Sequence, residues 1–165
     1  MDLSKAYNSI NYSFIRQVMG GLSFHSRFIG WVMEYITSPS YSIVVNGALC
    51  KFFKGAKGLR QGDPISPFIF VLYMEYLSRA LNCVARQPNF NIHPKCNKLN
   101  ISHLIFADDI MLMSRGDPIS VSMLMCCLND FAVISSSSAN LRKSNAFTAG
   151  IQGGDMQDIL SITGF

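Results

Sequence analysis

Two adjacent aspartates, Asp108 and Asp109, are the residues whose types and spacing point most directly to chemistry. Apolar residues flank them at 104–107 and 110–113, which predicts a strand, a tight turn and a second strand. Aspartate favours such a turn because its side chain bonds nearby backbone groups. Adjacent carboxylates at the tip of an apolar hairpin repel each other, and hard oxygen ligands of this kind suit Mg²⁺. A bare aspartate pair is more often an ordinary surface turn, so the metal-site hypothesis depends on the rest of the chain.

Two further segments support that hypothesis. Asp2 stands in a segment that has the pattern of a strand end, and residues 55–67 form a loop shaped by three glycines and two prolines. Phosphoryl or nucleotidyl transfer with two metals needs carboxylates from separate strands, which hold the ions roughly 3.5–4 Å apart. We therefore expect Asp2 and Asp108 to converge, although 106 positions separate them in the sequence. We also expect the loop to pack beside them.

Helical periodicity and turn residues predict the elements that would position these groups. Asn11 is a candidate N-cap for a helix ended by Gly20-Gly21, and a second helix is expected over 26–36. A long helix is expected to begin after Ser66, and another runs over about 119–134. The side chains expected to face inward are Phe14, Ile15, Val18 and Met19 in the first helix, Phe28, Ile29, Val32, Met33 and Ile36 in the second, Phe68, Val71, Leu72, Tyr76 and Leu77 in the third, and Leu124, Leu128 and Phe131 in the fourth.

Strand signals complete the predicted topology. Asn46-Gly47 between two apolar runs predicts a hairpin over about 41–53. A polar turn is expected over 135–138, a short strand near Ala146–Phe147, and a last short helix after Gly154. The resulting order of hairpins and helices predicts an α+β fold, with an antiparallel sheet covered by helices on one face.

Composition limits the function classes. With 165 residues, 49% of them hydrophobic, the chain can bury the core of one domain. A net charge of +4 is compatible with nucleic acid but does not require it. Five cysteines without metal-ligand spacing favour a reduced, intracellular protein. The longest uninterrupted apolar run, 68–74, is shorter than a bilayer span, and we expect no membrane partner.

The three segments together resemble reverse transcriptases. Residues 2–7 read DLSKAY, residues 58–67 read GLRQGDPISP and residues 106–109 read FADD, in the family's order. The likeness is greatest to the LINE-type enzymes of plant non-LTR retrotransposons. Residues 140–144, NLRKS, resemble the family's following lysine motif, and 162–165 resemble the start of the segment that leads toward the thumb. The resemblance implies a polymerase palm over residues 1–165, with fingers and thumb largely missing, as if cut from a longer polyprotein.

The resemblance also implies roles for single residues. Asp2 and Asp108 would hold two Mg²⁺ ions (or Mn²⁺) with Asp109 beside them, and the Leu3 carbonyl would complete one ion's shell. Tyr7 matches the bulky residue that excludes ribonucleotides, although a core aromatic fits it too. Lys143 matches the lysine that assists the departing pyrophosphate, although a solvated surface lysine fits it too. The residues expected against the incoming nucleotide and template are Arg60, Gln61 and Gly62.

The implied partners are an RNA template, a DNA primer and dNTPs, and the implied location is the nucleus. Two departures from the family pattern stand out: Asn8 replaces an aspartate, and Ser136-Ser137 replaces Gly-Leu before the lysine motif. By itself the fragment is expected to be inactive or weak. The alternatives are a decayed element remnant that binds nucleic acid weakly without catalysis, and some other two-metal phosphotransferase, which would leave the loop at 58–67 unexplained.

Overall fold

A computed structural model describes residues 1, 3, 6–137, 140, 143–151 and 153–164. The chain divides into two compact units. The first unit comprises Met1–Ala6 and Met74–Phe165, and the second comprises Tyr7–Tyr73. Each unit is described by itself, and the prediction of one palm domain over residues 1–165 stays a prediction.

A short helix, α1 (Ala6–Ser9), begins at the last residue of the first unit's N-terminal segment, and its other residues belong to the second unit. Helix α2 (Tyr12–Gly21) is capped by Asn11, whose side-chain oxygen accepts a hydrogen bond from the Ser13 N–H at 2.8 Å. All four predicted side chains of α2 are buried. Helix α3 (Ser26–Thr37) buries Ile29, Met33 and Ile36, but the prediction for Phe28 was wrong. Phe28 is 42% exposed because it stacks on Phe24 at the surface, with ring centroids 5.6 Å apart.

The predicted hairpin is present as a two-stranded ribbon of four short strands. Strands β2 (Val44–Val45) and β3 (Ala48–Leu49) pair across Asn46-Gly47, whose φ angles of 50° and 81° are those of a two-residue turn. Strands β1 (Ser40–Tyr41) and β4 (Phe53–Lys54) pair farther from the turn. Between the two pairs the second arm holds one more residue than the first, which is a β-bulge. All eight strand residues are exposed.

Helix α4 (Ser66–Ala85) follows, and the boundary between the units falls within its sequence. The prediction of its inward face was wrong for Phe68 and Val71, which are 72% and 65% exposed, and for Tyr76, which is 37% exposed. Leu77 is fully buried, as predicted. The helix is apolar around most of its circumference, so periodicity alone could not select the buried side. The buried hydrophobic residues are Ile69, Phe70, Tyr73, Met74, Leu77 and Leu81.

The first unit contains the aspartate hairpin, made of β5 (His103–Phe106) and β6 (Asp109–Leu112), after a single 3₁₀ turn at Asn97–Leu99. Helix α5 (Pro118–Ser135) is capped by Asp117 and buries its three predicted side chains. Helix α6 (Gly154–Thr163) matches the predicted last helix. The prediction of a strand near Ala146–Phe147 was wrong, because this segment has no regular structure. Phe147 is 96% exposed, so no burial of its side chain stabilises a strand there.

The α+β class is confirmed, with helices and small antiparallel sheets. In place of one predicted sheet, the described residues form three two-stranded sheets. Two helices, α4 and α5, are long and apolar enough to cross a membrane by length and composition, with mean hydropathies of 1.3 and 1.5. Helices in the cores of soluble proteins satisfy the same criteria, so this similarity is weak evidence for a membrane. The expectation of no membrane partner stays a prediction.

Candidate functional site

The aspartate hairpin places its two carboxylates differently. Phe106 pairs with Asp109 at the end of the ladder, so the two turn residues are Ala107 and Asp108. Asp109 is already a strand residue, and the expectation that both aspartates sit in the turn was wrong. Ala107 adopts a left-handed φ of 52°, which costs an L-residue with a Cβ about 1–2 kcal/mol. Asp108 is half-buried and Asp109 is exposed.

Strand pleating explains this difference. Ile105 and Ile110 are cross-strand partners, and Ile110 is 2% exposed, so their face of the hairpin packs inward. Leu104, Phe106 and Met111 lie on the opposite face and are 54%, 83% and 59% exposed. Asp109 is the partner of Phe106 and therefore shares this outer face.

The N-terminal segment pairs with β6 through backbone hydrogen bonds. The Leu3 N–H donates to the Asp108 carbonyl at 3.2 Å, and the Ile110 N–H donates to the Met1 carbonyl at 2.8 Å. The amino nitrogen of Met1 also donates to the Ile110 carbonyl, at 2.7 Å. Leu3 is 4% exposed. Asp2 lies outside the described residues, but its two sequence neighbours are bonded to Asp108 and Ile110.

The oxygen atoms near the turn of the aspartate hairpin are of the kind that bind a divalent cation. Carboxylate and backbone carbonyl oxygens are the ligands that Mg²⁺ prefers. Within the part of the chain that the structure describes, no three His, Cys, Asp or Glu side chains form a metal-binding group. Asp108 and Asp109 account for two of the three predicted carboxylates, and Asp2 would be the third.

The glycine-rich loop of the second unit is anchored to the segment after Tyr7. The Gly58 N–H donates to the Ile10 carbonyl at 2.8 Å, and the Leu59 N–H donates to the Tyr7 carbonyl at 2.7 Å. The Tyr12 hydroxyl donates to the Gly58 carbonyl at 2.9 Å. Gly58 has a φ of 88°, and a Cβ there would lie 2.9 Å from the Asn8 carbonyl oxygen. Glycine is required at this position because backbone approaches backbone too closely for any side chain.

A contact that the sequence did not reveal fixes the far side of the same loop. The Tyr35 hydroxyl on α3 donates a short hydrogen bond to Asp63 Oδ1, which also accepts from the Ile65 N–H at 3.1 Å. The Tyr35 hydrogen bond, followed by the Ile65 N–H, lowers the pKa of Asp63, and Asp63 in turn raises the pKa of Tyr35. In the sequence, the Asp63-Pro64 pair indicates a turn, which would have predicted the hydrogen bond from the Ile65 N–H to Asp63. The tyrosine, 28 positions earlier, has no local signal.

The residues predicted to contact nucleotide or template have these surroundings. Tyr7 is half-buried and stacks on Phe70, with ring centroids 4.7 Å apart and planes 10° from parallel. Arg60, Gln61 and Gly62 are exposed on the loop, within the second unit, while Asp108 and Asp109 belong to the first. The predicted proximity of loop and carboxylates, with Gln61 facing them, stays a prediction.

The predicted lysine motif is described in part. Lys143 is exposed, and its N–H donates to the Asn140 carbonyl at 3.0 Å. The same carbonyl accepts from the Ser144 hydroxyl at 2.8 Å. Leu141 and Arg142 lie outside the described residues. The role of Lys143 at the departing pyrophosphate stays a prediction.

The serines that replace Gly-Leu occupy demanding positions. Ser136 ends α5 in a left-handed conformation with φ 58°, the position where helices prefer glycine. Ser137 is 8% exposed, so a polar side chain fills a buried place that a leucine would fill without needing a hydrogen bond. Its hydroxyl is bonded to that of Ser135 at 2.7 Å, and Ser135 donates to the Phe131 carbonyl.

Comparison with known proteins decides the family. The model of the family described as reverse transcriptase (RNA-dependent DNA polymerase) matches residues 1–163. The chain belongs to the reverse transcriptase family. This confirms the resemblance inferred from residues 2–7, 58–67 and 106–109.

Relatives of this reverse transcriptase chain include proteins of retrotransposable elements. It is 30% identical over 117 residues to a Pol polyprotein from the type-1 element R2 of Popillia japonica, covering 71% of the chain and 18% of that protein. It is 29% identical over 153 residues to the Pol polyprotein from the type-2 element R2DM of Drosophila melanogaster, covering 93% of the chain and 14% of that protein. An uncharacterized mitochondrial protein of Arabidopsis thaliana is 40% identical over 67 residues, covering 40% of the chain and 55% of that protein. The chain thus spans less than a fifth of either R2-type polyprotein.

Proposed function

We propose that the chain is the palm of an RNA-directed DNA polymerase from a LINE-like non-LTR retrotransposon. It would transfer nucleotides from dNTPs to the 3′ end of a DNA primer on an RNA template. The observation that carries this proposal is the pairing of Met1 and Leu3 with Asp108 and Ile110. That pairing joins Met1 and Leu3, the sequence neighbours of Asp2, to Ile110 and Asp108. It supports the convergence of Asp2 and Asp108 that the two-metal hypothesis requires.

The proposed ligands are the carboxylates of Asp2 and Asp108, with Asp109 as a weaker contributor and the Leu3 carbonyl in one ion's shell. Two Mg²⁺ ions, or Mn²⁺, would stabilise the attacking and leaving oxygens of the transfer. Asp108 is the stronger candidate of the adjacent pair because it is half-buried beside the Leu3 backbone, whereas Asp109 shares the outer face with Phe106. Lys143 would supply positive charge to the departing pyrophosphate.

The remaining roles concern substrate selection. Tyr7 would close over the sugar and disfavour a 2′-hydroxyl, and its stacking on Phe70 would hold the ring in one orientation. Arg60, Gln61 and Gly62 would contact the nucleotide and the template from the loop. The exposed Gln61 side chain leaves that contact sterically open.

The test is primer extension with Mg²⁺ on an RNA template. Residues 1–165 alone are expected to give no measurable extension, because triphosphate and primer end must be held within a fraction of an ångström. A chimaera that joins these residues to the fingers and thumb of an R2-type polymerase should extend the primer. Asp108→Asn should abolish that activity and Asp109→Asn should reduce it less. Extension that survives Asp108→Asn would refute the proposed metal site.

A second candidate function has its own support. A decayed remnant would keep the fold and weak nucleic-acid binding but lack catalysis, and the strained Ser136 and buried Ser137 favour such a history. A folded chimaera that binds primer and template yet fails to extend would favour this alternative. Extension restored by Ser136→Gly together with Ser137→Leu would show that those two positions account for the loss.

A further inference from the structure

The two-stranded ribbon at residues 40–54 exposes apolar and aromatic side chains on both of its faces. An isolated ribbon of two strands is only marginally stable in water, and a surface of this kind marks a binding site. Its most exposed large side chain is Phe52, the residue beside the bulge, at 72%. The others are Tyr41 at 36%, Ile43 at 58%, Val44 at 61%, Val45 at 51%, Leu49 at 69% and Phe53 at 49%.

Charge selects the kind of partner. No acidic residue occurs between Glu34 and Asp63, whereas four cations do: Lys51, Lys54, Lys57 and Arg60. The second unit as a whole has six lysines and arginines against two acidic residues, and the first unit has eight of each. The net charge of the chain therefore belongs to the unit that carries the ribbon. Lys51, Lys54 and Lys57 are exposed. Among the described side chains, an ion pair joins Arg79 to Glu75 on α4, outside the ribbon.

Aromatic rings and cations are neighbours along the second arm of the ribbon. Residues 51–54 read Lys-Phe-Phe-Lys, and the Phe53 ring lies 6.1 Å from the ring of Tyr41 on the opposite strand. Single-stranded nucleic acids are bound by this combination, because phosphates are attracted to the cations while unpaired bases stack on the rings. A duplex satisfies the cations but keeps its bases inside, so it would leave the rings uncovered.

We propose that the ribbon binds a single-stranded nucleic acid, with Lys51 and Lys54 on its phosphates and Phe52 stacked on its bases. This goes beyond the proposed polymerisation because it assigns a strand-binding surface outside the metal and nucleotide residues. Binding at the ribbon needs neither a divalent metal nor chain extension. A chimaera with fingers and thumb that binds the strand at the ribbon yet fails to extend a primer would contradict the proposed function and leave this inference intact.

The experiment is fluorescence anisotropy with a labelled 20-nucleotide single strand, titrated with the full chain at several KCl concentrations. Each cation on a single strand contributes about 0.7 to the slope of log affinity against log salt. Lys51→Gln combined with Lys54→Gln should therefore flatten the slope by about 1.4. The matched control is Lys95→Gln combined with Lys98→Gln, two exposed lysines of the first unit, which should leave it unchanged.

Stacking is tested separately. Phe52→Ala should weaken binding about tenfold with little change of the salt slope, because base–aromatic stacking is largely independent of charge. A strand of the same length with abasic sites should bind the unaltered chain about as weakly as the normal strand binds Phe52→Ala. Far-ultraviolet circular dichroism checks that the variants fold, which is expected because the substituted side chains are exposed.

Three results would overturn the inference. Equal slope changes for the two lysine pairs would mean diffuse attraction with no site on the ribbon. Equal affinity for abasic and normal strands, or an unaffected Phe52→Ala, would exclude base stacking. Tighter binding to vesicles with 30% anionic lipid than to the strand, lost in Phe52→Ala, would instead assign the ribbon to a membrane surface.

Discussion

Gly58→Ala should destabilise the second unit more than any other single glycine-to-alanine change in its loop. The added Cβ would lie 2.9 Å from the carbonyl oxygen of Asn8 and 3.0 Å from its Cα, and both are backbone atoms that cannot rotate away. Holding an L-residue at φ 88° costs about 1–2 kcal/mol. Relief of the contact would break the hydrogen bond to Ile10, worth about 1 kcal/mol. With about 0.5 kcal/mol regained from a less flexible unfolded chain, the expected loss is roughly 1.5–2.5 kcal/mol.

Two matched variants separate these contributions. Gly62 has φ 84° but open space around it, so Gly62→Ala should cost only about 1 kcal/mol, mostly from the left-handed conformation. Gly20 lies inside α2, with open space around it and no positive φ. Gly20→Ala should therefore stabilise the unit by roughly 0.5 kcal/mol, because alanine favours the helix more than glycine does. The difference between the Gly58 and Gly62 variants therefore measures the close approach to Asn8.

The assay is urea unfolding followed by the fluorescence of Trp31, the single tryptophan of the chain, which lies in the same unit. With a slope of about 1–3 kcal/mol per molar urea, Gly58→Ala should lower the midpoint by roughly 1 M or more. Equal midpoints for Gly58→Ala and Gly62→Ala would refute the reasoning, because the steric contact would then contribute nothing.

Three further predictions concern the first unit. Ser136→Gly should raise the free energy of unfolding by about 0.5–1 kcal/mol, since glycine adopts the left-handed position without strain, and urea unfolding followed by circular dichroism would measure it. Burial lowers the pKa of His103, whose ring nitrogens each lie 3.0 Å from a serine hydroxyl. The neutral ring therefore contributes stability that is present above pH 6.5 and is lost as the pH falls below it, because the unfolded chain then binds the proton more readily. Thermal unfolding at pH 8 and pH 5 should show this loss, and His103→Gln should not show it. Asp108→Asn should weaken Mn²⁺ binding, measured by the electron paramagnetic resonance signal of the free ion, more than Asp109→Asn does, and equal effects would contradict the different placement of the two carboxylates.

Local signals predicted some elements well. Helix α2 has a polar cap, a clear apolar stripe and terminal glycines, and it folds as expected because each signal acts within a few residues. Helix α4 gives the opposite case, since its apolar residues surround it and the choice of buried side depends on packing with distant segments. The contact of Tyr35 with Asp63 is equally distant in sequence and has no periodic pattern to reveal it.

The site residues proposed from the sequence stay predictions, and the register of the aspartate hairpin could not be predicted from local signals. The family motifs identified Asp108 and Asp109 together, whereas the position of the turn follows from the left-handed Ala107. Turn rules disfavour alanine at positive φ and favour aspartate, so they placed both aspartates at the tip. The ladder from His103 to Leu112 sets the register, because Ile110 must be buried and a shift of one residue would expose it.

The same register means that Asp108 and Asp109 are not interchangeable, because one lies in the turn and the other in the strand. Deleting Ala107 would leave a pair of adjacent aspartates in the sequence, yet it would force the hairpin to re-form with a different residue in the turn or a shifted ladder. A survey of element copies that scores integrity by the presence of paired aspartates would count this deletion as intact. Spacing from Asp108 to the buried Ile110, together with the residue before the pair, is a better criterion for separating surviving copies from lost ones.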